Sequence, residues 1–274
     1  MTSGKLPIAL TIAGSDSGGG AGIQADLKTF HAFGVFGTSA LTAITAQNTL
    51  GVRAIHPIPL EIVRAQIDAV ADDLPPGGVK TGMLATTALV RTVAGALRDH
   101  GIPNYVMDPV MVASSGDRLL DANAQEALVA ELFPLTALVT PNLHETEILT
   151  GQPVSTVQEM RQAAQILVEM GAGAALVKGG HLPGGEAVDL FWDGTMERTW
   201  RRSRLDTSHT HGTGCTLSAA VAAGLARGLP LAEAVDLAVD FVVRAILTAP
   251  GLGQGHGPVN HFAGTRYLPG MDIT

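Results

Sequence analysis

The stretch His211-Gly212-Thr213-Gly214-Cys215-Thr216 combines a glycine-rich turn with a nucleophilic side chain, and the small residues of 217–226 that follow predict a helix. The first amides of a helix lack intrahelical partners, and the peptide dipoles place about half a positive charge there. The glycines let an anion approach the backbone closely. The stretch therefore predicts a phosphate-binding helix start in which Cys215 could become a thiolate. The alternative is a glycine turn before a buried helix, with an inert cysteine.

Four further residues are suited to phosphoryl transfer, which needs cations around phosphates and oxygen ligands for Mg²⁺. Asn142 and Glu145 place an amide and a carboxylate three residues apart at a predicted helix start. The same spacing is that of a capping box, in which both side chains only satisfy the helix end. Lys178 ends one predicted strand and Asp108 follows another. Each alone is equally consistent with a surface lysine or a turn aspartate, but their order along one chain favours a kinase.

Other enzyme motifs are incomplete or absent in the sequence. The segment 20–25 fits the dinucleotide fingerprint, but no Asp or Glu occurs between Lys28 and Leu60, where that fingerprint needs an acid for the ribose. The sequence contains neither a P-loop nor a G-x-S-x-G nucleophile elbow. A zincin motif beginning at His144 fails because position 148 is Ile.

The elements that must position these groups alternate between strand and helix patterns. Strands are predicted at 7–13, 35–45, 79–83, 104–107, 136–140, 174–178, 187–192 and 196–204. Helices are predicted at 23–33, 60–73, 86–100, 122–132, 142–150, 155–170 and 231–247. This alternation predicts an α/β fold with a mainly parallel central sheet and helices on both faces. We expect one domain over 1–274, with a loosely attached tail from about 263 and a loop near 113–118 whose position the sequence does not give.

Because ligands bind at the carboxyl ends of parallel strands, one edge of the sheet is expected to gather the residues that follow predicted strands. These residues are Asp16, Gln47, Met83, Asp108, Asn142 and Lys178.

Composition restricts the partners and the compartment. The formal net charge of −8 argues against nucleic acid and anionic membranes as partners, although a local phosphate site remains compatible with it. A single cysteine permits no intrachain disulfide and no cysteine-based metal cage, which favours a reducing compartment. The apolar run at 6–13 is too short for a typical signal peptide and is more consistent with a buried strand. A cytoplasmic protein is therefore expected.

Seven motifs occur in order along the chain: GSDSGGGAGIQADLK at 14–28, TAQNT at 45–49, KTGM at 80–83, DPVM at 108–111, PNLHE at 141–145, KGGH at 178–181 and THGTGCT at 210–216. Together they resemble those of the hydroxymethylpyrimidine/phosphomethylpyrimidine kinases of thiamine biosynthesis, a branch of the ribokinase-like superfamily. The resemblance runs from about residue 7 to Phe262. It implies a homodimer that uses ATP and Mg²⁺ to phosphorylate 4-amino-5-hydroxymethyl-2-methylpyrimidine and then its monophosphate.

The resemblance also implies residue roles, motif by motif. On the substrate side, Gln47 would hydrogen-bond the pyrimidine edge, Met83 and Val110 would line the ring, and Asp16 would lie at the substrate loop. On the nucleotide side, Lys178, Asn142 and Asp108 would serve ATP and its phosphates, and Glu145 with Asn142 would serve Mg²⁺. Gly212, Thr213 and Gly214 would form an anion hole, and Cys215 stands where related sugar kinases carry an aspartate base.

Two departures from the pattern keep alternatives open. Asp206 and His209 stand where relatives often have Asn, which leaves contacts to adenine unassigned. A related pyridoxal kinase group has a second cysteine in a lid, whereas Cys215 is the only cysteine here, so a pyridoxal-type vitamin kinase is the weaker alternative. A non-catalytic ligand-binding regulator is a third hypothesis. The sequence leaves open which phosphorylation dominates and whether a monovalent cation assists.

Overall fold

The secondary structure alternates between strands and helices along most of the chain. The computed structural model describes residues 6–111, 122–180, 182 and 185–264. The loop near 113–118, His181 and the tail beyond 264 lie outside these residues. The first elements are β1 (Ile8–Ala13), α1 (Gly22–Ala32), β2 (Phe36–Leu41), β3 (Ala43–Asn48), β4 (Gly51–Pro57), α2 (Leu60–Asp73), β5 (Gly78–Thr81), α3 (Thr87–Asp99) and β6 (Tyr105–Met107).

The remaining elements continue the alternation and end with two helices. They are α4 (Ala122–Leu132), β7 (Thr136–Val139), α5 (Leu143–Thr150), α6 (Val157–Glu169), β8 (Ala175–Gly179), β9 (Glu186–Trp192), β10 (Glu197–Ser203), α7 (Thr213–Ala226) and α8 (Leu231–Leu247). Short 3-10 turns occur at Phe133–Leu135 and His261–Gly264. The predicted α/β fold with a mainly parallel sheet is confirmed.

The predicted helices agree with the structure to within one or two residues at each end, except that α7 begins at Thr213, four residues before the predicted start at Leu217. Helix α2 spans the predicted range, and its buried Val63 and Ile67 lie one helical turn apart. The predicted antiparallel pair is confirmed as β9 and β10. The single strand predicted at 35–45 is divided into β2 and β3, which belong to different sheets. A further strand, β4, was not predicted. It forms a two-stranded antiparallel sheet with β3, and its exposed, partly polar residues lack the apolar run by which a buried strand is detected.

The described residues group into two compact units. The first contains residues up to Lys80, the segment His100–Asn104 and residues from Thr207 onward. In it the strands lie in the order β5, β1, β2, and β1 pairs in parallel with β2. Every residue of β1 except its first is buried, as expected for a strand inside an α/β core.

Helix α7 is the most deeply buried helix of this first unit, because its sequence is composed of small and apolar residues. All residues from Thr216 to Leu225 are buried. Where α7 packs on α8, a Cβ placed on Gly224 would lie 2.7 Å from the Cβ of Ala234. Because position 224 has no side chain, the two helices can approach closely. This packing fixes the position of α7 and therefore of its first turn.

The core of the same unit contains a charged pair. The ammonium of Lys80 lies 2.9 Å from the Oδ2 of Asp26, and both side chains are fully buried. The Thr11 hydroxyl donates to the same carboxylate oxygen over 2.6 Å. Removing one partner of such a pair typically costs about 3–5 kcal/mol, because the other charge stays buried without compensation. The pair thus joins α1 to β5 in one arrangement.

The second unit contains residues Thr81–Asp99 and Tyr105–Asp206. Its strands lie in the order β10, β9, β8, β7, β6. Strands β6, β7 and β8 are parallel to one another, and β9 pairs antiparallel with both β8 and β10. Helix α6 packs against β8 and β9, and α3 packs against α4. No helix among the residues that the structure describes is long and apolar enough to cross a membrane. The expectation of a single domain stays a prediction.

Candidate functional site

The carboxylate of Asp16 organises the glycine-rich loop that follows β1. Its Oδ1 accepts the amide of Gly18 over 2.8 Å, and its Oδ2 accepts the amides of Gly20 over 3.1 Å and Ala21 over 2.8 Å. The Nε2 of His211 lies 2.8 Å from the same Oδ2. We call Asp16, the loop 14–22, His211 and Gln47 the Asp16 cluster.

Asp16 is held as an anion by these donors. Burial alone would raise its pKa, but the hydrogen bond from His211 and those from the loop amides outweigh burial, and the pKa lies below its usual value. Because both carboxylate oxygens accept hydrogen bonds from within the protein, the role of Asp16 in this structure is to hold the shape of the loop. His211 received no individual role from the sequence, and the two residues are 195 positions apart.

Gln47 is not placed as the sequence suggested. It lies within β3 of the separate two-stranded sheet, not after a strand of the mainly parallel sheet. Its backbone is tied to the glycine-rich loop, because the Ser17 hydroxyl donates to the Gln47 carbonyl over 2.7 Å and accepts the Gln47 amide over 2.8 Å. The side-chain Nε2 of Gln47 lies 3.4 Å from the Nε2 of His211. The hairpin therefore brings Gln47 to Asp16 by another route than the predicted sheet edge.

A helix follows the glycine-rich stretch as predicted, but it begins at Thr213, inside the segment 211–216 that was predicted to be a turn. Gly212 is the N-cap residue of α7 with φ +80°, and Cys215 is the third residue of the helix. The Thr213 amide donates to the Thr210 carbonyl over 3.2 Å, so this amide is used inside the turn. The amides of Gly214 and Cys215 follow it in the first turn, where the helix dipole favours an anion.

A histidine from the C-terminal segment supports this helix start. The Nε2 of His261 lies 3.0 Å from the hydroxyl of Thr216, and both groups are buried. Burial lowers the pKa of His261 to about 4, and the nearby charge of Lys28 acts in the same direction. The imidazole is therefore neutral at neutral pH. The sequence analysis missed His261, because no local spacing relates it to Thr216.

The second unit contains a separate group of charged residues, which we call the Asp108 cluster: Asp108, Asn142, Glu145 and Lys178. Lys178 donates to the Oδ1 of Asp108 over 3.1 Å, and Asp108 is buried. The backbone of Asn142 bridges to that of Lys178 in parallel fashion. The ends of β6, β7 and β8 thus bring Asp108, Asn142 and Lys178 together, as their positions after predicted strands suggested.

Asn142 and Glu145 form the capping box that the sequence allowed as an alternative. The Oδ1 of Asn142 accepts the amide of Glu145, and the Oε2 of Glu145 accepts the amide of Asn142, each over 2.9 Å. The cap uses one oxygen lone pair of each side chain. Carboxylate and amide oxygens keep further lone pairs, so the cap and a metal-binding role are compatible.

The charge balance of the Asp108 cluster suits a cation. Burial raises the pKa of Glu145 to about 7, with Lys178 opposing and Asp108 adding to the rise. Two buried carboxylates therefore share one ammonium, and a divalent cation would stabilise both in their charged forms. Among the described residues, no three His, Cys, Asp or Glu side chains are arranged to hold a metal ion. A Mg²⁺ ion here would need oxygens from water or phosphate to complete its shell.

The other predicted ring contacts, Met83 and Val110, belong to the second unit. Met83 follows β5, Val110 follows β6, and both are half-buried. Their assigned roles stay predictions. A further buried carboxylate, Asp189, was missed by the sequence analysis. It lies opposite Lys178 in the β8–β9 register and accepts the Gly179 amide over 3.2 Å and the Arg202 guanidinium over 2.6 Å.

Comparison with known proteins identifies relatives along nearly the whole chain. The sequence model of a family described as phosphomethylpyrimidine kinase matches residues 16–260. The hydroxymethylpyrimidine/phosphomethylpyrimidine kinase of Rhizobium meliloti is 54% identical over 93% of this chain and 97% of its own length. The Bacillus subtilis protein of that name is 48% identical over 94% of this chain and 96% of its own.

A solved structure supports the same fold. An ADP complex of the Bacillus subtilis pyridoxal kinase superposes with a TM-score of 0.88 and 39% identity, over 94% of this chain and 98% of that one. The ribokinase-like fold expected from the sequence is therefore confirmed.

Replacing Gly212 with alanine should disrupt the start of α7. A Cβ at Gly212 would lie 1.7 Å from the Gly20 carbonyl oxygen, and the positive φ adds about 1–3 kcal/mol of strain. The matched control is Gly228→Ala, because Gly228 has φ +81° and open space around its Cβ position. We expect Gly212→Ala to lose at least about 2 kcal/mol more stability than the control in urea unfolding. Equal losses would show that the contact with Gly20 does not matter.

Proposed function

The chain belongs to the phosphomethylpyrimidine kinase family, and we propose that its Asp16 cluster serves the acceptor while its Asp108 cluster serves the nucleotide. The reaction is the ATP-dependent phosphorylation of 4-amino-5-hydroxymethyl-2-methylpyrimidine and then of its monophosphate, in thiamine diphosphate biosynthesis. The match of the family over residues 16–260 is the observation that carries this function. ATP use and the single cysteine favour a cytoplasmic location.

On the acceptor side, Gln47 is proposed to hydrogen-bond the amino-substituted edge of the pyrimidine. Its amide is half-buried and held near His211, so one donor and one acceptor can be offered in a fixed plane. Asp16 acts through the loop amides that it collects, not through direct contact with the substrate. This division gives the substrate loop a defined shape before the acceptor binds, which lowers the entropy lost on binding.

On the nucleotide side, Lys178 is proposed to contact the ATP phosphates, with Asp108 orienting its ammonium. Glu145 and Asn142 would hold Mg²⁺, which when bound neutralises charge on the phosphate oxygens. The pKa of Glu145, raised to about 7 by burial, means that this carboxyl is partly protonated at neutral pH unless a cation is nearby. The solved ADP complex of the pyridoxal kinase relative supports nucleotide use by this fold.

At the start of α7, the amides of Gly214 and Cys215 are proposed to stabilise negative charge that develops on the transferred group. In the transfer, the hydroxymethyl oxygen forms a bond to the γ-phosphorus while the bond from that phosphorus to the ADP oxygen breaks. The hydroxyl proton passes to the Cys215 thiolate and from there to solvent. A cysteine, unlike an aspartate, is not permanently charged: it can stay a neutral thiol while a monophosphate acceptor binds and needs to be a thiolate only when it accepts the proton, which limits repulsion in the second phosphorylation.

The substrate class is tested by ADP release with three acceptors: the hydroxymethyl pyrimidine, its monophosphate and pyridoxal. We expect kcat/KM to be higher with both pyrimidines than with pyridoxal, because the 48–54% identical relatives carry the pyrimidine kinase name. Higher kcat/KM with pyridoxal would overturn the pyrimidine assignment in favour of a pyridoxal kinase.

Replacing Cys215 with alanine should lower kcat by about a hundredfold or more, the scale expected for the loss of a general base. The backbone amides of α7 are unchanged by this substitution, so KM for ATP should change by less than about threefold. Cys215→Ser serves as the matched variant, because it keeps the size of the side chain and supplies a much weaker base. Near-normal turnover by the alanine variant would remove Cys215 from the base role and leave the helix start as the catalyst.

The protein is also proposed to form a homodimer through the segment 36–62. Of the ten large apolar side chains that are exposed among the described residues, six lie in this segment: Phe36, Ile44, Leu50, Ile55, Leu60 and Ile62. A group of exposed apolar side chains in one segment is typical of a surface that contacts another protein. A second copy of the chain is the proposed occupant, because the family resemblance implies a dimer. Three of the six residues lie on the β3–β4 hairpin: Ile44 and Ile55 on its strands and Leu50 in the turn between them.

Charged substitutions on that hairpin should produce monomers. We expect Ile44→Glu/Ile55→Glu to halve the mass measured by sedimentation equilibrium, because two carboxylates would be buried without partners at the interface. Leu247→Glu is the control, since Leu247 is 61% exposed but lies outside the segment. A wild-type protein that sediments as a monomer, or a double variant that stays dimeric, would contradict the proposed interface.

A further inference from the structure

We propose that His211 is a positioning residue that fixes the orientation of the Gln47 amide and thereby selects acceptors with a 4-amino group over those with a 4-oxo group. The inference rests on the proposed function in one respect, that Gln47 meets the pyrimidine edge. All the residues that carry it, namely Ser15, Asp16, Gly20, Thr45, Gln47 and His211, belong to the first unit.

The tautomer of His211 follows from its partner. The Oδ2 of Asp16 lies 2.8 Å from the His211 Nε2, and an ionised carboxylate can only accept hydrogen bonds. Protonated Asp16 is disfavoured, because that oxygen already accepts the amides of Gly20 and Ala21. The His211 Nε2 must therefore carry a hydrogen and donate it to Asp16.

The hydrogen on His211 Nε2 determines which end of the Gln47 amide faces the ring. A nitrogen of the amide placed 3.4 Å from His211 Nε2 would set two donors against each other. Amide oxygen and nitrogen are assigned from their hydrogen-bond partners, and the opposite assignment satisfies every group here. When the amide is rotated by 180°, Gln47 Oε1 faces the Nε2–H of His211. This N–H then has two acceptors, the nearer Asp16 Oδ2 and the more distant, weaker Gln47 Oε1.

Thr45 supports the same orientation from the other end of the amide. Its Oγ1 donates to the Ser15 carbonyl over 2.8 Å and lies 3.3 Å from the outer end of the Gln47 amide. Because the Thr45 hydroxyl hydrogen is already used, Oγ1 is available to Gln47 as an acceptor. The amide NH₂ group therefore belongs on the Thr45 side and the carbonyl oxygen on the His211 side.

The His211 ring has little freedom to move away from this position. A Cβ placed on Gly20 would lie 2.6 Å from the ring carbon Cδ2, so the ring packs directly on the backbone of the loop. The His211 amide donates to the Gly257 carbonyl over 3.1 Å, and the side chain is only 13% exposed. The ring, the loop and the C-terminal segment hold one another in place.

A locked amide presents one N–H and one oxygen lone pair in a fixed order. A 4-aminopyrimidine offers the complement, a ring-nitrogen acceptor beside an amino donor. A 4-oxopyrimidine offers the reverse, an N–H donor beside a carbonyl acceptor. A glutamine that could rotate freely would bind either edge, whereas a locked one leaves two mismatched polar contacts with the oxo compound, which enzymes reject strongly. His211 thus converts an adaptable side chain into a selective one.

The test compares kcat/KM for the 4-amino acceptor with that for its 4-oxo analogue in the wild type, His211→Leu and His211→Gln. We expect the amino-to-oxo ratio to fall about tenfold or more in His211→Leu, because the amide can then rotate. In His211→Gln, whose amide nitrogen can still donate toward Asp16, the ratio should return to within about threefold of the wild type. An unchanged ratio in His211→Leu would overturn the proposal, since a merely structural role would lower both activities together.

A second measurement needs no active variant. In wild-type protein with ¹⁵N-labelled histidine, the His211 signal, assigned by its loss in His211→Gln, should report hydrogen on Nε2 at neutral pH. Hydrogen on Nδ1 alone would overturn the proposal even if His211→Leu fails to fold. Failure of the proposed function is separable from both results, because it would appear as a wild type that releases no ADP with either pyrimidine acceptor.

Discussion

The glycine-rich loop after β1 depends on the hydrogen bonds that the buried carboxylate of Asp16 accepts. An ionised carboxylate that is 2% exposed is stable only if donors replace the water that it loses, and three loop amides and His211 do so. Satisfying those four donors fixes the path of the glycine-rich loop, since Gly18, Gly20 and Ala21 must all turn their amides inward. The same requirement holds the His211 ring at Asp16, while the Ser17 hydroxyl of the same loop holds the backbone of Gln47.

The Asp108 cluster follows a different electrostatic principle. The Asp16 carboxylate is fully paired, whereas in this cluster two buried carboxylates share the ammonium of Lys178. Burial raises the pKa of Glu145, the charge of Asp108 adds to the rise, and a cation would stabilise the carboxylate oxygens. A carboxylate whose oxygens are all hydrogen-bonded is suited to holding a loop rigid. Two carboxylates that share one ammonium are suited to binding a cation that arrives with a nucleotide. The two clusters therefore differ in charge balance in the way that their proposed roles require.

Similarity of fold does not decide the acceptor. The pyridoxal kinase relative superposes with a TM-score of 0.88, yet the relatives of higher sequence identity are pyrimidine kinases. Selectivity between small aromatic acceptors depends on a few buried polar groups, because a mismatched donor or acceptor costs more than a changed apolar contact. Gln47, in a hairpin outside the parallel sheet, and His211, just before α7, are the groups proposed to supply this selectivity.

Features that depend on local spacing could be predicted from the residues alone. The periodicity of 60–73 predicted α2, the run of small residues predicted α7, and the spacing of Asn142 and Glu145 predicted the capping box. Contacts between distant segments depend instead on how the chain packs. Asp16 and His211 are 195 residues apart, Thr216 and His261 are 45 apart, and β4 lacked a pattern of burial by which to recognise it. Local hydrogen bonds follow from residue type and spacing, whereas a pairing across the fold exists only after packing has brought two segments together.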